Sequence, residues 1–571
     1  MQKGRKNKRK RTAGPVVIAL LVIVIAAGIY LVQRYTPTKE RMSAEEYFGP
    51  LAENEIAIVL QDELTGARGI LENDALYLNY DMVRDQINSR FFWDEGNQQM
   101  LFTTALETFE IPVNSAQYSM DGAKEQYDKP IVLQKGDALY LSIDFLALYT
   151  NLEYTLEAET QHALVRYQWG MMKTGEIIKD TAVRYQGGIK SPILTDARKG
   201  DTVYVLEEME EWSRVLTSDG YIGYVKNKRL QSVQETEISR DFKEQEYSSL
   251  TRDERISLVW HQIDNGDANT YLKEDIEGMS GVDVISPTWF SVADNEGNID
   301  SLASEEYVKE AHAAGLEVWG LVSNFSAQVD TTTLLSSTAA RRRMVDYLTG
   351  EAVRLGLEGI NLDFEYIREE AGYSYVQFVR ELSIGCRKNG LVFSIDVPVP
   401  MEFNRYFNRK ELGTVADYVI IMGYDEHYAG SEEAGSVASL SFEENGIIGT
   451  LEDVPADKII SGVPFYTRIW YTADNGDGTF SVTSEAIGMN TVDNTLETYG
   501  VTAVWNEETS QDYAAWTLEN GIRCEIWVEN EKSLAEKARL VSKYDLGGIA
   551  AWVLGFERDT VWEVLEKNVG E

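Results

Sequence analysis

Two cysteines, four histidines and eleven prolines are few for a chain of 571 residues, and each shortage closes off a class of protein. Cys386 and Cys524, with histidines scattered at 162, 261, 312 and 427, lack the close spacing of a structural zinc site or a haem-attachment motif. No metal and no cofactor is expected, and the two thiols are expected to be free and buried. So little proline excludes a long Pro-rich stalk. Basic residues are also scarce: 53 Lys and Arg face 93 Asp and Glu, a formal net charge of −40. That removes nucleic acid as a partner, because binding it rests on a basic surface that neutralises phosphates. What the chain does have is apolar material, 44% hydrophobic and 11% aromatic residues, enough for packed cores and too much for a mostly disordered chain. At roughly one domain per 150 residues, about three or four domains are expected.

The few basic residues are unevenly placed. Lys3, Arg5, Lys6, Lys8, Arg9, Lys10 and Arg11 precede PVVIALLVIVIAAGIYLV at 15–32, which carries no charge. A run of that length is close to the shortest helix that crosses a bilayer core. The positive-inside rule keeps 1–14 as a cytoplasmic tail, makes 15–32 a single-pass anchor, and puts 34–571 on the other side of the membrane. A cleaved signal peptide is the alternative. Its apolar stretch is about 7–15 residues and ends at a small-x-small site. Here the stretch is longer, and Ala26-Ala27-Gly28 lies inside it, so an uncleaved anchor in the cell membrane is favoured. An acidic ectodomain facing an acidic envelope is expected to be tethered there, not adsorbed by charge.

A polar linker is expected over 34–54. Beyond it the chain repeats itself. Asp74-Ala75-Leu76-Tyr77-Leu78 returns as Asp137-Ala138-Leu139-Tyr140-Leu141, and Asp81 and Asp144 follow each copy at the same offset. The same offset pairs Met100-Leu101-Phe102 with Ala163-Leu164-Val165. Each copy predicts a strand, a short helix and a hairpin. Two such units, spanning 55–168, resemble the copper amine oxidase N-terminal-like module. The likeness is one of pattern and implies no copper. Residues 172–232 alternate short β runs with turn signals at Gly187-Gly188 and Asp219-Gly220. The stretch from Trp212 to Val225 resembles the distal hairpin of a bacterial SH3 domain. Such a module binds cell-wall material or only spaces other domains, since a fold alone does not give function. A charged linker is expected over 233–253.

From 254 to 571, β-branched apolar runs alternate with helical periods, the pattern of parallel strands joined by helices. The predicted strands are 256–260, 282–286, 317–323, 359–365, 392–397, 418–423, 458–463 and 548–553. Eight of them fit an α/β (β/α)8 TIM barrel, in which chemistry sits at the C-terminal strand ends. The long gap before the eighth leaves room for an inserted β-rich element.

Glu358-Gly359-Ile360-Asn361-Leu362-Asp363-Phe364-Glu365-Tyr366 carries the most information. With period-two alternation, Asn361, Asp363 and Glu365 share one face, and Ile360, Leu362 and Phe364 the other. A parallel strand buried on both faces should be apolar throughout. An amide and two carboxyls inside a barrel cost several kcal/mol unless partners or altered protonation relieve them. One carboxyl is therefore expected to hold its proton near neutral pH, the property of a general acid. A solvated face of an antiparallel strand is the alternative, and the flanking βα pattern argues against it.

This stretch resembles the Asp-Gly-x-Asp-x-Asp-x-Glu signature of glycoside hydrolase family 18, a substrate-assisted exception to the two-carboxylate scheme. The resemblance implies that Glu365 is the catalytic acid and that Asp363 holds the substrate's 2-acetamido N–H. Met422-Gly423-Tyr424-Asp425 resembles the family's Met-x-Tyr-Asp motif. It implies a Tyr424 hydroxyl on the acetamido carbonyl, and Asp425 and Met422 beside the sugar. Trp552 would form the floor under the reacting ring, as an aromatic face suits a pyranose. Asn361 and Trp289 complete the expected substrate-binding set, and Trp260, Gln262 and Asn324 sit near strand ends that could line the cleft. His427 is expected at the rim. There are departures: Glu358 and Asn361 stand where the family has Asp, and Phe364 where Trp is common. Asn361 cannot share a proton with Asp363, so the family's coupled pair is not expected here. Gly462-Val463-Pro464-Phe465-Tyr466, Ser533 to Lys537 and Gly547 to Gly555 resemble the spore-germination, cortex-lytic N-acetylglucosaminidase branch. The implied partner is peptidoglycan or another N-acetylglucosamine-containing polysaccharide in a bacterial cell envelope. A non-hydrolytic glycan-binding protein on the same barrel is the rival reading. Such relatives generally lack the acid, and Glu365 is present. An envelope scaffold that binds no sugar is a third.

Overall fold

The computed structural model describes residues 14–570, so the basic run from Lys3 to Arg11 lies outside the described residues. The first helix, Gly14–Tyr35, meets no charge until Arg34, and its 20 residues Val16–Tyr35 are long and apolar enough to cross a membrane. Its apolar side chains are exposed, as they are on a helix with no packing partner.

The chain divides into two compact units. The first takes Met1–Ser89, Val113–Gln117 and Gln126–Glu244. It holds a seven-stranded sheet to which both copies of the repeat contribute. Strand Ala75–Asn79 of one copy pairs antiparallel with Ala138–Ser142 of the other, Leu78 opposite Leu141. A short helix follows each, Tyr80–Met82 and Ile143–Tyr149. A second seven-stranded sheet forms the SH3-like module around Ile177, Val183, Val203, Val205, Val215 and Val225.

Both expected linkers need correction. Residues 34–54 are not a free linker, because Ser43 and Glu46 close a capping box on helix Ala44–Phe48. That box satisfies two otherwise unpaired amide donors and lets a five-residue helix persist. Phe48 then buries itself among Val59, Leu164, Leu216 and Tyr221. The linker after the SH3-like module starts late, since strand Leu230–Ile238 extends a long antiparallel pairing with Gly170–Ile177.

The second unit takes Arg90–Pro112, Tyr118–Glu125 and Gln245–Glu571. The repeat module 55–168 is therefore not one body. The first copy's hairpin, Phe91–Asp94 with Gln99–Thr103, grows into a separate five-stranded sheet. This sheet is covered by barrel helices: Phe92 stacks on Tyr373 at 4.9 Å, and Thr338 Oγ1 donates to Asp94 Oδ2 at 2.8 Å. Arg387 donates to the carbonyl of Ala105 at 2.7 Å. An apolar hairpin face needs such a cover, and these helices supply it.

The barrel is an eight-stranded, closed, parallel (β/α)8 TIM barrel. In order its strands are Ile256–His261, Val284–Pro287, Glu317–Ser323, Gly359–Asp363, Val392–Pro398, Tyr418–Met422, Ile459–Pro464 and Gly548–Trp552. The eighth pairs with the first, Ile256 opposite Gly548. A Cβ at Gly548 would lie 2.1 Å from the Ile256 carbonyl oxygen, so closure there requires glycine. Inside, Ile256, Leu258, Trp260, Trp319, Val392, Tyr418 and Ile420 form one cluster. Outside, Ile360, Leu362, Phe364, Phe378 and Val379 belong to a second apolar layer under the helices. The gap between strands seven and eight holds a five-stranded antiparallel sheet with helix Met489–Tyr499. Cys386 and Cys524 are free and buried.

Candidate active site

Strand four alternates as its sequence predicts, with Ile360, Leu362 and Phe364 turned to the outer layer and Asn361 and Asp363 turned into the barrel. The strand ends at Asp363, so Glu365 lies two residues beyond it, in the loop at the open mouth. Its backbone N–H donates to Asn324 Oδ1 at 3.1 Å, and Asn324 Nδ2 is tied to Thr331 Oγ1 at 3.0 Å. Asn324 is thus a buried strut for the acid loop and not a cleft residue.

Asn361 is fully buried at a crossing of hydrogen bonds. Its Oδ1 accepts from Trp260 Nε1 at 2.9 Å and from Ser286 Oγ at 3.3 Å. Its Nδ2 donates to Ser394 Oγ at 3.0 Å and to Asp396 Oδ1 at 2.8 Å. An amide with every contact satisfied by protein has none left for a substrate, so Asn361 is corrected from sugar ligand to interior strut. Trp260 is likewise interior. Trp289, also expected in the cleft, lies in the outer layer, 1% exposed, with Nε1 donating to Asn269 Oδ1 at 2.8 Å and the ring edge-on to Tyr307. Strand two is interrupted after Pro287 and resumes at Phe290–Val292, which turns Trp289 outward. Gln262 is exposed and donates to Asp264.

Tyr424 and Asp425 follow strand six. The Tyr424 ring meets Trp260 at 6.4 Å and Tyr466 at 6.3 Å, both edge-on, and Trp552 lies 5.9 Å from Trp260. Asp425 has φ +58°, a left-handed conformation that Asp tolerates better than most residues, and its Oδ1 accepts from the Tyr466 hydroxyl at 2.6 Å. Met422 is half-buried at the strand end. His427, at the rim, is fixed by its Nδ1 contact with the Ser436 carbonyl at 2.9 Å. Tyr466 and Asp396 were not singled out as site residues from sequence. A signal for Asp396 was present: Ser394 and Asp396 repeat, on strand five, the polar period-two pattern of strand four.

Burial, followed by the nearby charges of Asp396 and Glu365, pushes the Asp363 carboxyl well above the ordinary Asp range. Burial raises Asp396 too, against a hydrogen bond from Asn361. Glu365 is exposed at the mouth, yet enough protein surrounds its carboxyl that partial burial, and then Asp425, raise it. Burial also raises the Tyr424 and Tyr466 hydroxyls, so both stay protonated donors. Among the described residues, no group of three or more His, Cys, Asp and Glu side chains forms a metal position. A hollow of about 780 Å³, lined by Arg252, Glu254, Arg255, Asp457 and Asp545, lies by the N-terminal strand ends, away from the carboxyl cluster. Strand polarity assigns a barrel's chemistry to the opposite, C-terminal ends.

Residues 319–557 match the family described as glycosyl hydrolases family 18, and residues 179–231 match the bacterial SH3 domain. Among curated proteins, the chain is 24% identical over 287 residues to the uncharacterized glycosylase YvbX of Bacillus subtilis (strain 168), covering 48% of this chain and 81% of that one. It is 27% identical over 241 residues to the cortical fragment-lytic enzyme of the same organism, covering 41% of this chain and 54%, about half, of the relative. The crystal structure of the Bacillus cereus spore cortex-lytic enzyme SleL superposes with a TM-score of 0.50 at 18% identity, over 59% of this chain and 78% of that one, which shows a shared fold.

Proposed function

We propose, for a chain whose residues 319–557 match glycosyl hydrolases family 18, that it is a membrane-anchored, extracytoplasmic glycosidase. It cleaves β-linked N-acetylhexosamine polymers, peptidoglycan first and chitin-like chains second, by substrate-assisted hydrolysis with retention. The observation that carries this reading is the Glu365 carboxyl, raised by burial and by Asp425 at the mouth of the barrel, directly beyond buried Asp363. A general acid must keep its proton at the working pH, and this environment favours the protonated form.

Glu365 gives its proton to the glycosidic oxygen as the bond to the anomeric carbon breaks. The carbonyl oxygen of the sugar's own 2-acetamido group attacks that carbon from the other face. Asp363 accepts the acetamido N–H and stabilises the cationic oxazolinium, while the Tyr424 hydroxyl donates to the acetamido carbonyl. Asp425, oriented by Tyr466, and Met422 flank the sugar, and Trp552 lies beneath it. The ionised Glu365 then takes a proton from water, whose oxygen opens the oxazolinium and leaves the anomeric configuration unchanged. Helix Gly14–Tyr35 holds the barrel at the cell envelope, and the SH3-like module spaces it from the membrane or grips the wall. The cortical fragment-lytic relative supports a peptidoglycan substrate.

The test is release of reducing ends from purified peptidoglycan, and from N-acetylglucosamine oligomers, by the detergent-solubilised chain beside Glu365→Gln. Cleavage by the wild type that is lost in the variant supports the proposal. Binding of glycan by both with cleavage by neither replaces it with the glycan-binding reading.

A further inference from the structure

Strands four and five run side by side in parallel, with Asn361 opposite Ser394 and Leu362 opposite Ile395. Asp363 and Asp396 are the next residues along each, at one level on neighbours about 4.8 Å apart. Both alternate into the barrel, and both are buried. The Asn361 amide, one layer below, donates to Asp396 Oδ1 at 2.8 Å and holds that carboxyl in the layer of Asp363. Asp363 Oδ1 is itself buried without a hydrogen-bond partner. A buried carboxylate oxygen left unpaired is costly, and two carboxylates sharing one dry site cannot both ionise.

We propose that Asp396 is a positioning residue that holds one proton in common with Asp363, supplying from strand five the partner carboxyl that Asn361 cannot provide on strand four. This inference rests on the glycosidase reading of the same site. In the resting site the proton lies between the two carboxyls, and the pair carries one negative charge. When the substrate's acetamido group becomes cationic, the proton settles on Asp396 and Asp363 faces the cation as a full carboxylate. No proton leaves the pair. The groups that bear on it are Glu365 from the strand-four loop, Tyr424 after strand six, and Tyr375 on helix Gly372–Asn389, which Arg409 faces in turn. Burial raises both carboxyls, as a retained proton requires.

The test is a cycle of four full-length, detergent-solubilised chains: wild type, Asn361→Asp, Asp396→Asn and the double variant that moves the acid from 396 to 361. Each is assayed for kcat and KM on N-acetylglucosamine oligomers across pH, beside a thermal melt. Asp396→Asn is expected to lose about tenfold or more in kcat, with KM within about threefold and an altered pH profile. Asn361→Asp is expected to lose activity as well, because a third acid enters the buried cluster directly beneath the pair and replaces the amide that donates to Asp396. The double variant is expected to recover about tenfold over Asp396→Asn, which a merely structural role would not produce. Wild-type kcat and pH profile in Asp396→Asn, or a double variant no better than that single, overturns the inference. If Asp396→Asn does not fold, the double variant against Asn361→Asp reads the same coupling, and a double variant that is not the more active overturns it. If the wild type itself cleaves nothing, the glycosidase reading fails. The pair is then judged by infrared absorption at about pH 8.5, above the range in which Glu443 titrates, and the absence of a protonated-carboxyl band overturns it.

Discussion

The two ends of the barrel interior are built from the same eight strands and the same inward alternation, yet they hold opposite chemistry. Towards the N-terminal strand ends, Trp319 and Tyr418 stack at 5.7 Å among Ile256, Leu258 and Val392. A Cβ at Gly359 would meet the Trp319 ring at 2.9 Å, so glycine there makes room for the indole. Towards the C-terminal ends the interior turns to Asn361, Ser286, Ser394, Asp363 and Asp396. The first end gains stability from apolar burial; the second gives some up, because buried carboxyls cost free energy unless they are bonded or protonated. The same barrel thus separates what holds it together from what it does. A site can be polar and strained in protonation only because the layer beneath it is dry, large and well packed.

This contrast is sharpest at Glu365, and the largest effect is expected there. Glu365→Gln should lower kcat by about 10²–10⁴ while leaving the melting temperature close to wild type. A variant that melted much earlier would make Glu365 structural and erase the distinction. In the wild type, activity as a general acid should fall as pH rises through the Glu365 pKa, at a higher pH than an ordinary Glu near about 4.3 would give. The opposite end should behave inversely. Trp319→Ala is expected to cost about 3–5 kcal/mol in the barrel's unfolding transition, with kcat per folded molecule unchanged at low temperature.

The outer layer offers an intermediate case in Glu443. It accepts from Ser461 Oγ at 2.9 Å, and burial raises it to about 7. The folded state therefore holds a proton that the unfolded chain releases near about pH 4.3, so this contribution is complete below that pH and is lost as pH rises towards about 7. Glu443→Gln should flatten the fall in melting temperature between those values, removing up to about 3 kcal/mol of pH dependence. An unchanged slope would remove Glu443 as its source. At the surface, Arg539→Ala breaks an exposed pair with Glu536 at 2.6 Å and should change stability by less than about 0.5 kcal/mol. A larger change would show that the balance between the ends is not confined to the interior.

Much of the barrel was legible because parallel strands declare themselves as short β-branched runs, and strand four declared its inner face by alternation. Alternation and motif spacing single out Glu365, Asp363, Tyr424 and Asp425 as candidates, and the structure brings these four close enough for their charges to act on one another. Trp289 was misread because a position just past a strand end does not reveal which way its side chain turns, and here it turns to Asn269 and Tyr307. Asn361 was misread because a polar residue on the inner face looks the same whether it meets substrate or protein. The capping box at Ser43 and Glu46 was written in the sequence and overlooked, which turned a docked helix into an expected linker.

By itself the sequence determined which side chains face inward, since the period of a strand is a local property of the backbone. It also determined the apolar first helix, by length and composition alone. Only the tertiary structure decided which inward side chains become neighbours. Asp363 and Asp396 are 33 residues apart in sequence and one strand apart in space. Register between strands is fixed by packing of the whole barrel, and no local pattern carries it.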